Sequence, residues 1–154
     1  MIMIKSLLYK KPLCLIMIFY FLISPATGQK ESDTIMKIVD LEKFIIQMKL
    51  HENNTLIDVR TWMEYKKGRI PGAVLAETNN ILFSITDTMD FDRPLFLYCA
   101  TNFRSKSSGR LLTERGFKNI YILEVGFNGW KAAGKEIDKS KPKRKVHHKK
   151  KSEN

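Results

Sequence analysis

Short runs rich in β-branched and aromatic residues alternate with helically spaced apolar residues along this chain. That alternation predicts an α/β fold, a small, mostly parallel sheet flanked by helices. A second observation agrees: the run Arg93–Tyr98 reads as a buried strand that stops on Cys99, and a helical pattern follows at once. In open parallel sheets, ligands bind beyond the carboxyl ends of the strands, so Cys99 stands where chemistry is expected.

The elements follow in order. Ile35–Val39 reads as a short strand, and Asp40 caps a helix whose Leu41, Phe44, Ile45 and Met48 recur at helical spacing. Asn53 and Asn54 break it, and Thr55–Arg60 is a second strand. Thr61 caps a short helix through Tyr65 and Lys66, stopped at Gly68. Pro71-Gly72 makes a turn, Ala73–Ala76 a strand, and Asn79-Asn80 precede a helical stretch from Ile81 to Met89. After the cysteine loop, Ser105 to Glu114 is helical and closed by Gly116. Asn119–Leu123 is the last strand, and Gly126 opens a final short helix closed by Gly134.

The ends have a different character. Lys5, Lys10 and Lys11 precede an unbroken apolar run of eleven residues, Leu13–Ile23, and Ser24–Gly28 supplies small residues. This is the layout of a secretory signal peptide, with cleavage expected before Gln29; a spanning helix needs about 20 residues. The expected organisation is a signal peptide over 1–28, a folded domain over 29–138 and a basic, disordered tail over 139–154. Export follows, to the periplasm if the cell has two membranes and otherwise to the medium. The net charge of +11 belongs to the ends: residues 139–154 carry +7, residues 1–28 carry +3, and the domain is nearly neutral. The tail lacks an apolar pattern and repels itself, so it reads as a solvated segment. It could also engage an anionic surface or polyanion; no specific nucleic acid partner is indicated.

Removing the leader removes Cys14 and leaves Cys99 alone, which excludes a disulfide framework. A thiol at a strand's end, before a helix N-terminus, sits among orphan N–H groups and a helix dipole that favour an anion. The thiolate is the nucleophilic form of cysteine. Arg104 adds a cation at the rim, suited to sulfur-bound oxygens.

At this point the residues resemble a known family. Leu56–Arg60, Glu64-Tyr65 and Gly68–Ala73 are similar to the opening signature of the rhodanese domain, Cys99–Ser105 to its active-site loop, and Gly126–Trp130 with Gly134 to its closing motif. The resemblance implies a rhodanese-like fold and a single-domain sulfurtransferase of the thiosulfate sulfurtransferase type. Cys99 would take a sulfane sulfur as a persulfide and pass it to a thiol or cyanide acceptor. Ala100, Thr101, Asn102, Phe103, Arg104 and Ser105 would bind the donor with Arg60, and Asp58 would brace the loop. No cofactor and no metal site is implied. Asn102 stands where glycine is common in the family, Arg69 where histidine is frequent, and Val125 where glycine is frequent; Phe103 puts a bulky apolar group at the mouth.

Other chemistries fit less well. Tyrosine-phosphatase-like loops place five residues between cysteine and arginine; here four separate Cys99 from Arg104. A cysteine protease or a zinc site needs histidines near the thiol, and the candidates are His51, His147 and His148. Two alternatives remain: a catalytically idle binding module of the same family, and, less favoured by the loop count, a thiol redox or phosphatase-like enzyme.

Overall fold

The computed structural model of the protein describes residues 36–142. The expected leader over 1–28 and the tail beyond Pro142 lie outside these residues. In chain order the elements are β1 (Met36–Val39), α1 (Leu41–Leu50), β2 (Thr55–Asp58), α2 (Trp62–Lys67), β3 (Val74–Leu75) and α3 (Asn79–Thr86). Then come β4 (Leu95–Tyr98), α4 (Phe103–Glu114), β5 (Ile120–Leu123) and α5 (Gly126–Ala132). The strands form one sheet in the order β1-β5-β4-β2-β3, and every pairing between them is parallel. The expected α/β class holds, and the sheet is more uniformly parallel than expected. Antiparallel pairing among the described residues is confined to an isolated bridge between Arg69 and Asp138.

β4 lies between β5 and β2, with Leu97 in register with Ile122 and Ile57. Both of its faces are covered, which is why it reads as a continuous apolar run. Period-two alternation divides its side chains. Phe96 and Tyr98 join a layer with Phe44 of α1, Tyr65 of α2, and Phe127 and Trp130 of α5. Leu95, Leu97 and Cys99 join the opposite layer with Leu82 of α3 and Leu112 of α4. Within the first layer, Phe96 stacks on Tyr121 with centroids 4.7 Å apart and meets Phe44 edge-on at 5.3 Å.

The caps follow the sequence closely. Asp40 accepts from the Lys43 N–H at 2.8 Å. Thr61 and Glu64 form a reciprocal capping box on α2, which satisfies two otherwise orphan donors. Several boundaries differ from expectation: β2 stops at Asp58 rather than Arg60, and β3 is confined to Val74–Leu75. α3 begins at Asn79 rather than Ile81, with Thr78 as its cap, and ends at Thr86 rather than Met89. α4 starts at Phe103 rather than Ser105, so half of the expected active-site loop is the first helical turn.

Arg69 has a specific task. Its guanidinium pairs with Asp138 and donates to the Ser140 carbonyl at 3.1 Å and the Ser140 hydroxyl at 2.8 Å. Ser140, two residues past the expected domain boundary, is therefore held against the domain.

Candidate active site

Cys99 sits immediately beyond the carboxyl end of β4, at the centre of the sheet. It is 1% exposed. Burial alone would equally describe an inert core thiol. The surrounding backbone distinguishes the two. Among the described residues, none of the six successive N–H groups from Ala100 to Ser105 donates to another group. Orphan donors at that density are rare in folded proteins, and they are the means by which a turn binds an anion. The first N–H groups of a helix point out of its N-terminal end. Ser105 Oγ lies 3.7 Å from Cys99 Sγ, which places the sulfur within reach of that end. The same hydroxyl lies 3.0 Å from the Asn102 carbonyl oxygen. Its single proton serves one acceptor at a time, so it can rest on the carbonyl beside a thiol and turn to the sulfur beside a thiolate.

The turn is held from below by the β5–α5 junction. The Phe127 N–H donates to the Cys99 carbonyl at 2.8 Å, and the Asn128 N–H to the Ala100 carbonyl at 3.0 Å. These bonds occupy the carbonyls of the turn and leave its N–H groups free. Gly126 (φ +58°) makes the approach possible, because a Cβ there would lie 1.8 Å from the Thr101 carbonyl oxygen. The Asn102 side-chain amide donates to the Glu124 carbonyl. Asn102 itself has φ −149°, so its tolerance of left-handed backbone is not what lets the loop close; its reach across to Glu124 is. Val125 is right-handed at φ −83°, and no glycine is needed there either.

Asp58 and Arg60 brace this junction from the neighbouring strand. Arg60 donates through Nε and Nη2 to the Asp58 carboxylate, at 3.0 and 2.6 Å, and through Nη2 to the Gly68 carbonyl at 2.8 Å. Its guanidinium lies 4.0 Å from the ring centroid of Phe127, whose N–H holds the Cys99 carbonyl. Burial disfavours the Arg60 charge, but the hydrogen bonds and charge of Asp58 outweigh it and raise its pKa. At 4% exposure, and committed to these partners, Arg60 is a bracing residue. Expected among the donor-binding residues, it stands with its planar fork turned inward to Asp58. Tyr98 completes the brace by accepting the Ile70 N–H at 3.1 Å; burial first, then the charge of Asp58, raises its pKa.

Arg104 also departs from expectation. It is not a free cation at the rim. Its Nη1 and Nη2 donate to the two carboxylate oxygens of Glu64 at 2.9 and 2.8 Å. This bond, ahead of the opposing effect of burial, lowers the Glu64 pKa to about 2, with Thr61 adding to it. The Arg104 pKa is raised chiefly by the same bond, with Cys99 a smaller contributor, so the guanidinium stands close to the thiol. Of the remaining expected site residues, Thr101 and Phe103 are exposed, Ala100 and Asn102 are half-buried, and Ser105 is buried. Gly126, Phe127, Asn128 and Tyr98 were not anticipated as supports of the loop. The closing motif was the available signal for the first three, but a motif carries no contact.

A five-stranded parallel sheet with a cysteine-bearing turn after its central strand, and a glycine pressed beneath that turn, defines a rhodanese-like domain. The chain matches the rhodanese-like domain family over residues 44–133, and it belongs to that family. It is 37% identical over 83 residues to the thiosulfate sulfurtransferase GlpE of Actinobacillus succinogenes, covering 54% of this chain and 74% of that one. The GlpE protein of Pseudoalteromonas translucida is 31% identical over 85 residues, covering 55% and 80%. Among solved structures, a rhodanese-related protein from Thermoplasma volcanium superposes with a TM-score of 0.57 at 19% identity, covering 68% of this chain and 99% of that one. At that identity the likeness concerns the fold.

Proposed function

We propose that the protein is an exported, single-domain sulfurtransferase that moves a sulfane sulfur from a donor such as thiosulfate to a thiol or cyanide acceptor through a persulfide on Cys99. One observation carries the reading: a buried thiol faces the start of a helix whose turn offers six unpartnered N–H groups. A thiolate or persulfide anion in a water-poor site is costly unless donors meet it, and here they stand ready. The relatedness to proteins named thiosulfate sulfurtransferases supports the same chemistry.

The steps balance. The Cys99 thiolate attacks the outer sulfur of thiosulfate; the S–S bond breaks, its electron pair leaves on sulfite, and the transferred sulfur remains as a persulfide carrying one negative charge. An acceptor thiolate or cyanide then attacks that sulfur, and the Cys99 thiolate returns as leaving group. The backbone N–H groups hold the anion through both steps without reorganising, which is where such sites lower barriers most. Ser105 can follow the charge on the sulfur by turning its hydroxyl. Thiocyanate formation from thiosulfate and cyanide tests the reading. Activity in the wild type that is lost in Cys99→Ser is expected; equal, near-blank rates in both with several donors would refute it. Export is supported by the layout of residues 1–28, and recovery of a mature chain beginning at Gln29 from the envelope or medium is the expected result.

A further inference from the structure

We propose that the protein carries a second interaction surface, made by residues outside the Cys99 turn: the end of α2 and the segment 135–142 present a preorganised lysine cluster to an anionic phospholipid bilayer. The inference goes beyond the sulfurtransferase reading and does not depend on it.

The isolated antiparallel bridge assembles the cluster. The Arg69 N–H donates to the Asp138 carbonyl at 3.1 Å, and the Asp138 N–H to the Arg69 carbonyl at 2.9 Å. The bridge lays the segment against the residues that end α2. Gly68 permits the approach, since a Cβ there would lie 2.8 Å from Ile137 Cγ2 and 3.8 Å from Lys139 Cγ. Lys139 thus packs against the residue that directly follows Lys66 and Lys67, and Lys141 comes two positions later. All four lysines are exposed, and none makes an ion pair among the described residues. The Asp138 carboxylate does not cancel them, because it pairs with Arg69, itself buried. Glu136 is offset by its neighbour Lys135.

A tail that only solubilises needs no fixed root. This one has several ties. Arg69 donates to the Ser140 carbonyl and hydroxyl, the Ser140 N–H donates to the Asp138 carboxylate at 2.8 Å, and Trp130 Nε1 donates to the Glu136 carbonyl at 2.8 Å. Groups ordered before contact lose less freedom on binding. The sequence then continues the charge, with six Lys or Arg between residues 143 and 151.

Two features favour lipid headgroups over nucleic acid. Sites for single-stranded nucleic acid combine cations with aromatic side chains on which bases stack, and residues 131–154 contain no Phe, Tyr or Trp. The apolar run Leu13–Ile23 is of the kind that brings a chain to a bilayer. Each Lys or Arg near an anionic bilayer adds about fivefold in affinity.

The test measures binding of the full chain to vesicles of phosphatidylcholine with phosphatidylglycerol and to vesicles of phosphatidylcholine alone. The ratio of the two affinities removes what the apolar leader contributes. It should exceed about a hundredfold at about 0.1 M salt and collapse at about 1 M. Lys66→Gln with Lys67→Gln should lower the ratio about thirtyfold. Lys106→Gln with Arg110→Gln removes the same charge from α4, which packs on the opposite face of the sheet from α2. At about 0.1 M salt, charges more than about 10 Å from the bilayer are screened, so this second pair should lower the ratio less than about threefold. A ratio near one, or two pairs of substitutions acting alike, overturns the inference; in the second case net charge governs, not this face. Oligodeoxythymidylate that strips the chain from the vesicles at equal negative charge assigns the face to nucleic acid and overturns it as well.

Discussion

Replacing Gly126 by alanine strikes the active site without touching a reactive group. The added Cβ would lie 1.8 Å from the Thr101 carbonyl oxygen, 2.5 Å from the Thr101 carbonyl carbon and 2.6 Å from the Ala100 carbonyl oxygen. These are backbone atoms, with no flexible side chain to yield, so the turn must retreat by roughly 1 Å or more. A displacement of that size at a reacting centre costs on the order of a hundredfold in rate. The left-handed backbone adds about 1–2 kcal/mol of strain for a residue with a Cβ. The expected outcome is a folded protein with a lowered melting temperature whose rate of persulfide formation from thiosulfate falls about a hundredfold. Stopped-time mass analysis of Cys99 reads the rate, and thermal unfolding reads the strain. A Gly126→Ala protein that loads sulfur at the wild-type rate would show that the position of the turn does not control the chemistry.

Three further outcomes follow from the contacts. Asp58→Ala leaves the buried Arg60 charge without its carboxylate and should cost about 3–5 kcal/mol in urea unfolding; a loss below about 1 kcal/mol, the size expected of an exposed pair, would refute the brace. Glu64 is depressed from 4.5 to about 2, so the stability it contributes is full above its unfolded value and is lost as pH falls from there towards 2. Part exposure of the pair limits this to under about 1 kcal/mol. Chemical denaturation should show the gap between wild type and Glu64→Gln closing across that window, and a gap that persists at its acid end would contradict the pair's role. Arg69→Ala removes the side-chain hold on Ser140; tryptic cleavage after Lys139 should accelerate severalfold, and an unchanged rate would show that the clamp does not protect the segment.

Local signals carried much of the fold. The Asp40 and Thr61 caps, the glycine that stops α2 and the strand ending on Cys99 depend on residues within a few positions of one another, and each stands where the sequence places it. Spatial order is different in kind. Nothing in the periodicity of β5 says that it lies between β1 and β4, because parallel crossovers leave no local trace. The start of α4 leaves little local trace: Asn102 makes no side-chain cap bond, so the usual start signal is absent. In the site, the nucleophile and its turn were legible from spacing. The commitment of Arg104 to Glu64 joins residues 40 positions apart, and the grip of Arg69 on Ser140 spans 71. Charge alone suggested a free cation in the first case and an untethered segment in the second. Arg60 misled because an arginine beside a catalytic loop suits an anionic substrate equally well; its burial against Phe127 is a tertiary fact.

Incubating the intact chain with thiosulfate, removing excess donor and weighing the protein measures the central claim without an acceptor or a coupled assay. The mass should rise by one sulfur atom, the gain should map to Cys99, a reducing thiol should reverse it, and Cys99→Ser should show none. A wild-type mass that stays unchanged, or a gain that persists in Cys99→Ser, would mean that the free amides of this turn do not stabilise a sulfur-bearing anion.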